Sequence, residues 1–452
     1  MDHTPLTGDV GRLARQVRAA LDGGPAVAPL PRLHDAEPPA GTALVVRTSG
    51  STGAAREVAL GAAALRASAS ATHERLGGPG RWVLTLPATH VAGLQVVVRS
   101  VLAADAGVPD ALVAAEPDAH FTPDALAALL APALADGAPV HVSLVPTQLH
   151  RVLAAADAGS PAGLEALTRC ATVLLGGAAT PPPLLARATA EGVGVVRTYG
   201  MSETSGGCVY DGIPLSGVRL RLAPPDPALD LSGPRSALAH PAPDKALGHT
   251  ALSAPRGAMA PPGPDKSRLG VGVVEIAGAT LALGYLGDDL ATAGAFRTDA
   301  DGVRWFRTSD LGAFAAVTST GSGQPGVLSV LGRADDVVVT GGVNVAPAAV
   351  EAALAALAPA VLGVPAAEPC VVGVPDDEWG QAVVAVVAVT GGPAGLDAVG
   401  PDALAQVRAA VAARLGAPSA PRRVYVTGAL PLRGPGKVDR RAVAAAAEAA
   451  GR

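Results

Sequence analysis

Five short apolar runs constrain this chain more than any other feature. They fall at residues 43–46, 82–86, 140–145, 172–175 and 193–196, and Ala/Leu-rich stretches long enough for helices lie between them. A run of this length without polar alternation suits a strand covered on both faces. Its alternation with helical stretches predicts an α/β fold built on a largely parallel sheet. Ala, Gly and Pro are abundant while aromatic residues make up only 2%, a bias that says little about fold.

The character changes over residues 224–268, PPDPALDLSGPRSALAHPAPDKALGHTALSAPRGAMAPPGPDKSR. Pro, Gly, Ser and Ala dominate with no apolar period, which predicts a disordered surface insertion. VGVVEIAG then reads as a strand, and order continues to VLSVLGRADD. From Asp336 a smaller unit follows: a helix from Pro347 to Leu357, strands at CVVGV and AVVAVVAV, a helix after Pro401, the strand RRVYVTG, a Gly-rich loop and a terminal helix. At 452 residues two domains are the natural expectation: a large N-terminal one over residues 1–333 and a small, mobile α+β one over residues 334–452, joined between Arg333 and Asp336.

The net charge of -5 comes without a Lys/Arg run, so there is no grip for nucleic acid or an anionic membrane. Cys170, Cys208 and Cys370 are far apart and odd in number, which excludes a disulfide framework and fits a reducing compartment. MDHTPLTGDVGRLARQ has no apolar core of a leader, and no stretch reaches the roughly 18 apolar residues of a spanning helix. The expectation is a soluble, cytoplasmic protein, with nothing that fixes an oligomeric state.

The segment VVRTSGSTGAAREVAL places Thr48, Ser49, Gly50, Ser51, Thr52 and Gly53 just after a strand. Hydroxyls and exposed N–H groups, with glycines that permit close approach, can cradle a polyphosphate. No G-K-[ST] follows, so this is not a Walker loop, and standing alone it also reads as a polar turn. Downstream, in order, come LLGGAAT with Gly176 and Gly177, RTYGMSETSG, WFRTSDLG, LGRADDVVVTGGVNVAP and LPLRGPGKVDRR. Through this ordered set, over about residues 41–223 and 270–442, the sequence resembles the adenylate-forming superfamily of acyl-CoA synthetases, peptide-synthetase adenylation domains and luciferases.

That resemblance implies activation of a carboxylic acid by ATP with Mg²⁺, followed by transfer to coenzyme A. Residues 48–53 would hold the β- and γ-phosphates as pyrophosphate leaves. Arg56 stands where the family usually has lysine, keeping the charge but as a planar fork. Glu203 matches the Mg²⁺-associated glutamate, a hard ligand for a cation that bridges phosphates. Tyr199, with Gly176 and Gly177, matches the adenine-binding wall, continued by Gly200, Met201 and Ser202, the last replacing the commoner threonine. Asp310 matches the acceptor of the ribose hydroxyls, Arg333 a further nucleotide contact, and Asp335 the hinge of the small domain. Lys437, between Gly434 and Val438, matches the lysine that joins the substrate carboxylate to the α-phosphate. Without the resemblance, Tyr199 reads as core filler, Glu203 and Lys437 as solvated charges, and Asp310 as a turn residue.

Two further segments, LPATHVAGLQVVVRS and HVSLVPTQLHRVL, together with a phosphate loop that begins near residue 48, resemble the small o-succinylbenzoate–CoA ligases of menaquinone biosynthesis. The resemblance makes His90, Arg99, Ser143 and Thr147, beside Gln148, the substrate residues. A substrate with two carboxylates keeps one charged while the other reacts, and a buried arginine suits it. Alternatively His90 only flanks the acyl tunnel and Arg99 sits in a surface ion pair. Other readings are another small acyl- or aryl-CoA ligase, a stand-alone adenylation domain, or a non-catalytic nucleotide- or acyl-binding regulator.

Overall fold

The structure, a computed structural model, describes residues 10–48, 55–115, 120–224, 271–315, 326–361, 363, 367–389, 391–433 and 437–451. The expected insertion beyond Pro224 and the candidate phosphate-loop residues Ser49, Gly50, Ser51, Thr52 and Gly53 lie outside the described residues, as do the side chains of Asp335 and Lys437. The chain divides into two compact units. One comprises Met1–Leu220, Glu275–Thr308 and Leu432–Val438; the other comprises Arg221–Val274, Ser309–Pro431 and Asp439–Arg452.

The first unit carries a seven-stranded sheet in the order Leu112–Ala114, Arg81–Leu84, Val140–Leu144, Thr172–Leu175, Val195–Met201, Gly206–Tyr210, Ile213–Pro214. The first five strands are parallel and the last two turn back antiparallel. Four of the five apolar runs supply strands here. The fifth does not: Thr42–Arg47 pairs antiparallel with Glu57–Gly61, and Gly284–Tyr285 completes a separate three-stranded sheet. The segment between Arg47 and Glu57 is too short for the crossover that parallel pairing demands, so a hairpin forms.

Helix Val91–Asp105 is buried nearly all round, including Leu94, Gln95, Val96, Val97, Val98, Arg99 and Val101. Each of those aliphatic side chains contributes about 1.5–3 kcal/mol through burial. A Cβ at Gly93 would stand 2.3 Å from the Pro87 carbonyl oxygen, so only glycine lets the chain enter the helix this closely.

The second unit includes a sheet in which Glu368–Asp376 and Gly380–Ala388 form an antiparallel hairpin. Gly380–Ala388 also runs parallel to Arg423–Thr427, reached through helix Pro401–Leu415. Val350, Leu354, Val383, Val387, Val407, Val411 and Val424 belong to its core. The helix that starts at Pro347 runs past Leu357 to Val361, since the alanines there favour helix and Ala358 is buried. All three cysteines are unpaired and buried, and burial pushes each thiol up to about 12. Among the described residues no helix is long and apolar enough to cross a membrane.

Candidate active site

The phosphate-loop candidate is anchored at its base. Thr48 N–H donates to the Arg56 carbonyl at 2.8 Å, and Arg56 N–H donates to Thr48 Oγ1 at 3.2 Å. The hairpin that closes there sends the Arg56 guanidinium over the Tyr285 ring, 5.1 Å from its centroid. The Tyr285 hydroxyl in turn donates to Glu203 Oε1 at 2.9 Å. Two candidate residues far apart in sequence, Arg56 and Glu203, are therefore brought to one aromatic side chain.

Glu203 sits in a tight turn, Ser202–Thr204, that follows strand Val195–Met201. Thr204 Oγ1 accepts from Met201 N–H at 2.9 Å, and Ser205 leaves the turn in the left-handed region with φ 54°. The Ser205 carbonyl accepts from Gln95 Nε2 at 2.6 Å and from Ser68 Oγ at 3.1 Å, fastening the turn to two helices. Tyr199 pairs across the sheet with Val209, and a bulge follows at Gly200. A Cβ at Gly200 would lie 2.1 Å from the Gly206 carbonyl oxygen. One at Gly176 would lie 2.3 Å from Thr198 Oγ1, and Gly177 has φ +82°. The neighbouring backbone thus requires glycine at 200, and the Thr198 side chain crowds any other residue at 176.

His90 occupies the N-cap position of Val91–Asp105 without a side-chain capping bond, and its Nδ1 lies 3.0 Å from Thr89 Oγ1. Ser143 is buried on strand Val140–Leu144, and its carbonyl accepts from Thr85 Oγ1. Thr147 lies in the first turn of helix Pro146–Asp157, where the adjacent Gln148 accepts from Val145 N–H at 3.0 Å and donates to the Thr85 carbonyl at 3.4 Å. Arg99 lies deeper. It is 4% exposed, stacks over Trp82 and donates to the Tyr210 hydroxyl at 3.4 Å. Its Nε has no hydrogen-bond partner among the described residues, and burial lowers its pKa from the ordinary arginine value. The surface ion pair considered for Arg99 from sequence is not what its burial shows.

In the second unit Asp310 and Arg333 stand directly opposite on paired antiparallel strands. Arg333 leads into the short turn Ala334–Asp336 that contains Asp335. Lys437 begins the strand Lys437–Val438, which pairs with Leu432–Arg433 in the first unit. Among the described residues no group of three or more metal-ligating side chains occurs.

Residues 8–235 match the AMP-binding enzyme family, and residues 349–437 match the AMP-binding enzyme C-terminal domain. The chain belongs to the AMP-binding enzyme family. Among its relatives, a Mycobacterium tuberculosis protein named as a probable 2-succinylbenzoate–CoA ligase is 41% identical over 406 residues, which is 89% of this chain and 83% of the relative. The fold matches o-succinylbenzoate CoA synthetase of Bacillus subtilis, solved with the acyl-adenylate OSB-AMP. That match has a TM-score of 0.60 and 22% identity, covering 89% of this chain and 69% of that one. It also matches the amide bond synthetase McbA of Marinactinospora thermotolerans, with a TM-score of 0.63 and 26% identity over 93% and 73% of the two chains.

In this AMP-binding enzyme, sequence reasoning missed Tyr285, Trp82 and Tyr210. Tyr285 lies in LALGYLGDD, where one aromatic among apolar residues reads as core. The signal that could have found it is the scarcity of tyrosine, four in the chain, which makes each buried hydroxyl worth asking about.

Proposed function

We propose that this AMP-binding enzyme is an ATP-dependent 2-succinylbenzoate–CoA ligase. The succinyl carboxylate attacks the α-phosphorus of ATP and expels pyrophosphate; the coenzyme A sulfur then attacks the acyl carbon and expels AMP. The observation that carries the substrate is Arg99, a buried guanidinium with no carboxylate partner among the described residues, its hydrogen bond going to a phenol. A buried cation without an anion is costly, and the second, unreacted carboxylate of this acid supplies the missing charge. The 41% identical relative named for the same substrate supports the reading.

The residues divide the work by position. Thr48 and Arg56 mark the base of the phosphate loop, and donors there meet the negative charge that builds as pyrophosphate leaves. Mg²⁺ fits this site: a cation that takes phosphate oxygens and keeps its waters needs only one or two carboxylates, and Glu203 offers one. Bound there, it would neutralise phosphate charge. By the family resemblance, Tyr199, Gly176, Gly177, Gly200, Met201 and Ser202 would serve the adenine, Asp310 and Arg333 would serve the ribose, and Lys437 would link carboxylate and α-phosphate. Asp335 would be the hinge.

The test is AMP release from ATP and coenzyme A with 2-succinylbenzoate, benzoate and a medium-chain fatty acid. Turnover of 2-succinylbenzoate well above the other two is expected. Efficient turnover of a simple acid, with none of 2-succinylbenzoate, overturns the substrate and leaves the ligase.

A further inference from the structure

Tyr285 holds a position that packing alone does not explain. The segment around it is stitched by backbone hydrogen bonds to both neighbours that carry charge. Leu286 N–H donates to the Glu57 carbonyl and Leu283 N–H to the Ala59 carbonyl, on the strand that follows Arg56. Ala282 N–H donates to the carbonyl of Glu203 itself, each at 2.8 Å. The ring is 8% exposed and meets the edge of Phe296, with centroids 6.0 Å apart and planes at 61°. It is therefore fixed in both position and plane.

A phenylalanine would fill the same space and give Arg56 the same aromatic face. The hydroxyl is the part that packing does not need. It donates to Glu203 Oε1 at 2.9 Å, and a hydrogen bond to one carboxylate oxygen restrains the plane of the whole group. A tyrosine hydroxyl is protonated at neutral pH, so it meets the carboxylate as a donor. The Arg56 guanidinium lies 5.1 Å from the centroid of the same ring, so the hydroxyl that meets Glu203 has a cation beside it as well.

We propose that Tyr285 is a positioning residue of the adenylation site. Its hydroxyl orients the Glu203 carboxylate toward the cation that accompanies ATP. This rests on the reading of Glu203 as the group that serves Mg²⁺-bound ATP.

The experiment is calorimetric titration of the full-length protein with ATP, once in Mg²⁺ and once in EDTA, for the parent, Tyr285→Phe, Glu203→Gln and the double variant. Thermal unfolding of each confirms folding. The parent is expected to bind ATP more tightly with Mg²⁺. Tyr285→Phe should lose about tenfold of that enhancement, the size set by a hydrogen bond to a charged group, with EDTA affinity unchanged. In the Glu203→Gln background the same change should add nothing, because the tyrosine acts through the glutamate. A Tyr285→Phe protein with the parent's full enhancement overturns the role of Tyr285 alone, and so does equal weakening with and without Mg²⁺. A parent that binds ATP equally well in both conditions overturns the reading of Glu203 and this proposal with it.

Discussion

The Arg99 guanidinium lies 5.0 Å from the centroid of the Trp82 ring. The indole is itself held at its edge, its Nε1–H donating to His73 Nε2 at 3.2 Å, and the Tyr210 hydroxyl that meets Arg99 also lies 3.0 Å from Thr72 Oγ1. The cation is thus framed by neutral groups that fix its place without cancelling its charge. Arg99→Leu should raise the KM for 2-succinylbenzoate by about tenfold to a hundredfold, the range of a charged hydrogen bond, with ATP affinity unchanged. Because the substitution removes a buried cation that lacks a protein anion, the thermal midpoint should hold or rise. A midpoint several degrees lower, with KM intact, would mark Arg99 as a structural residue.

Lys437→Ala separates the two half-reactions. The lysine is needed where the carboxylate meets the α-phosphate and not where the thiol attacks the acyl carbon. Pyrophosphate release from ATP and acid should fall by orders of magnitude, while synthetic acyl-adenylate added with coenzyme A is still converted to thioester. Pyrophosphate release at the parent rate would remove Lys437 from the chemistry.

Arg81 is 3% exposed, and its guanidinium is gripped by Asp136 at 2.9 and 3.0 Å and by the carbonyls of Ala133 and Asp110. This fork holds the Asp136 carboxyl at about 2, below its ordinary range. A depressed carboxylate contributes stability that is present above the unfolded pKa and lost as pH falls through the folded one. Asp136→Asn should therefore lower the thermal midpoint at pH 7, and the gap from the parent should close as pH falls from about 4 toward 2. A gap that stays constant over that range would assign the loss to packing.

Legibility in the sequence follows the range of the interaction. The runs that become Val140–Leu144 and Thr172–Leu175 declare themselves because a strand covered on both faces needs apolar residues without a break. The run at 43–46 looks the same, yet its sheet is decided by the short return to Glu57, a property of loop length and not of the run. Asp310 and Arg333 are legible as candidates from their motifs, but their cross-strand pairing depends on register. Tyr285 and Glu203 are 82 positions apart, and no local pattern joins them. Arg99 lies in VVVRSVL, where the apolar flanks hint at burial but its partners, the Trp82 ring and the Tyr210 hydroxyl, come from two strands.

His141 makes the pH dependence of stability testable. It is 1% exposed on strand Val140–Leu144, its ring centroid is 4.9 Å from that of Trp82, and neither ring nitrogen has a hydrogen-bond partner among the described residues. Burial first, then the nearby His73 and Arg99, lower its pKa from 6.5 to about 4. His73 is lowered to about 4 as well, by burial and then by Arg99. In the unfolded chain each imidazole takes up a proton as pH falls below 6.5, whereas in the folded protein each stays neutral until about 4. The unfolded state therefore binds more protons between those values, and stability falls as pH drops through that window and levels off below it. For His141 the shift corresponds to roughly 3 kcal/mol across the window. His141→Leu removes a buried imidazole whose nitrogens are unsatisfied, so its stability at pH 7 should be close to the parent's. Urea unfolding at pH 7, 6, 5 and 4.5 should show the variant gaining on the parent as pH falls, by a margin that grows toward about 3 kcal/mol. A margin that does not change with pH would mean that His141 titrates alike in the folded and unfolded chains.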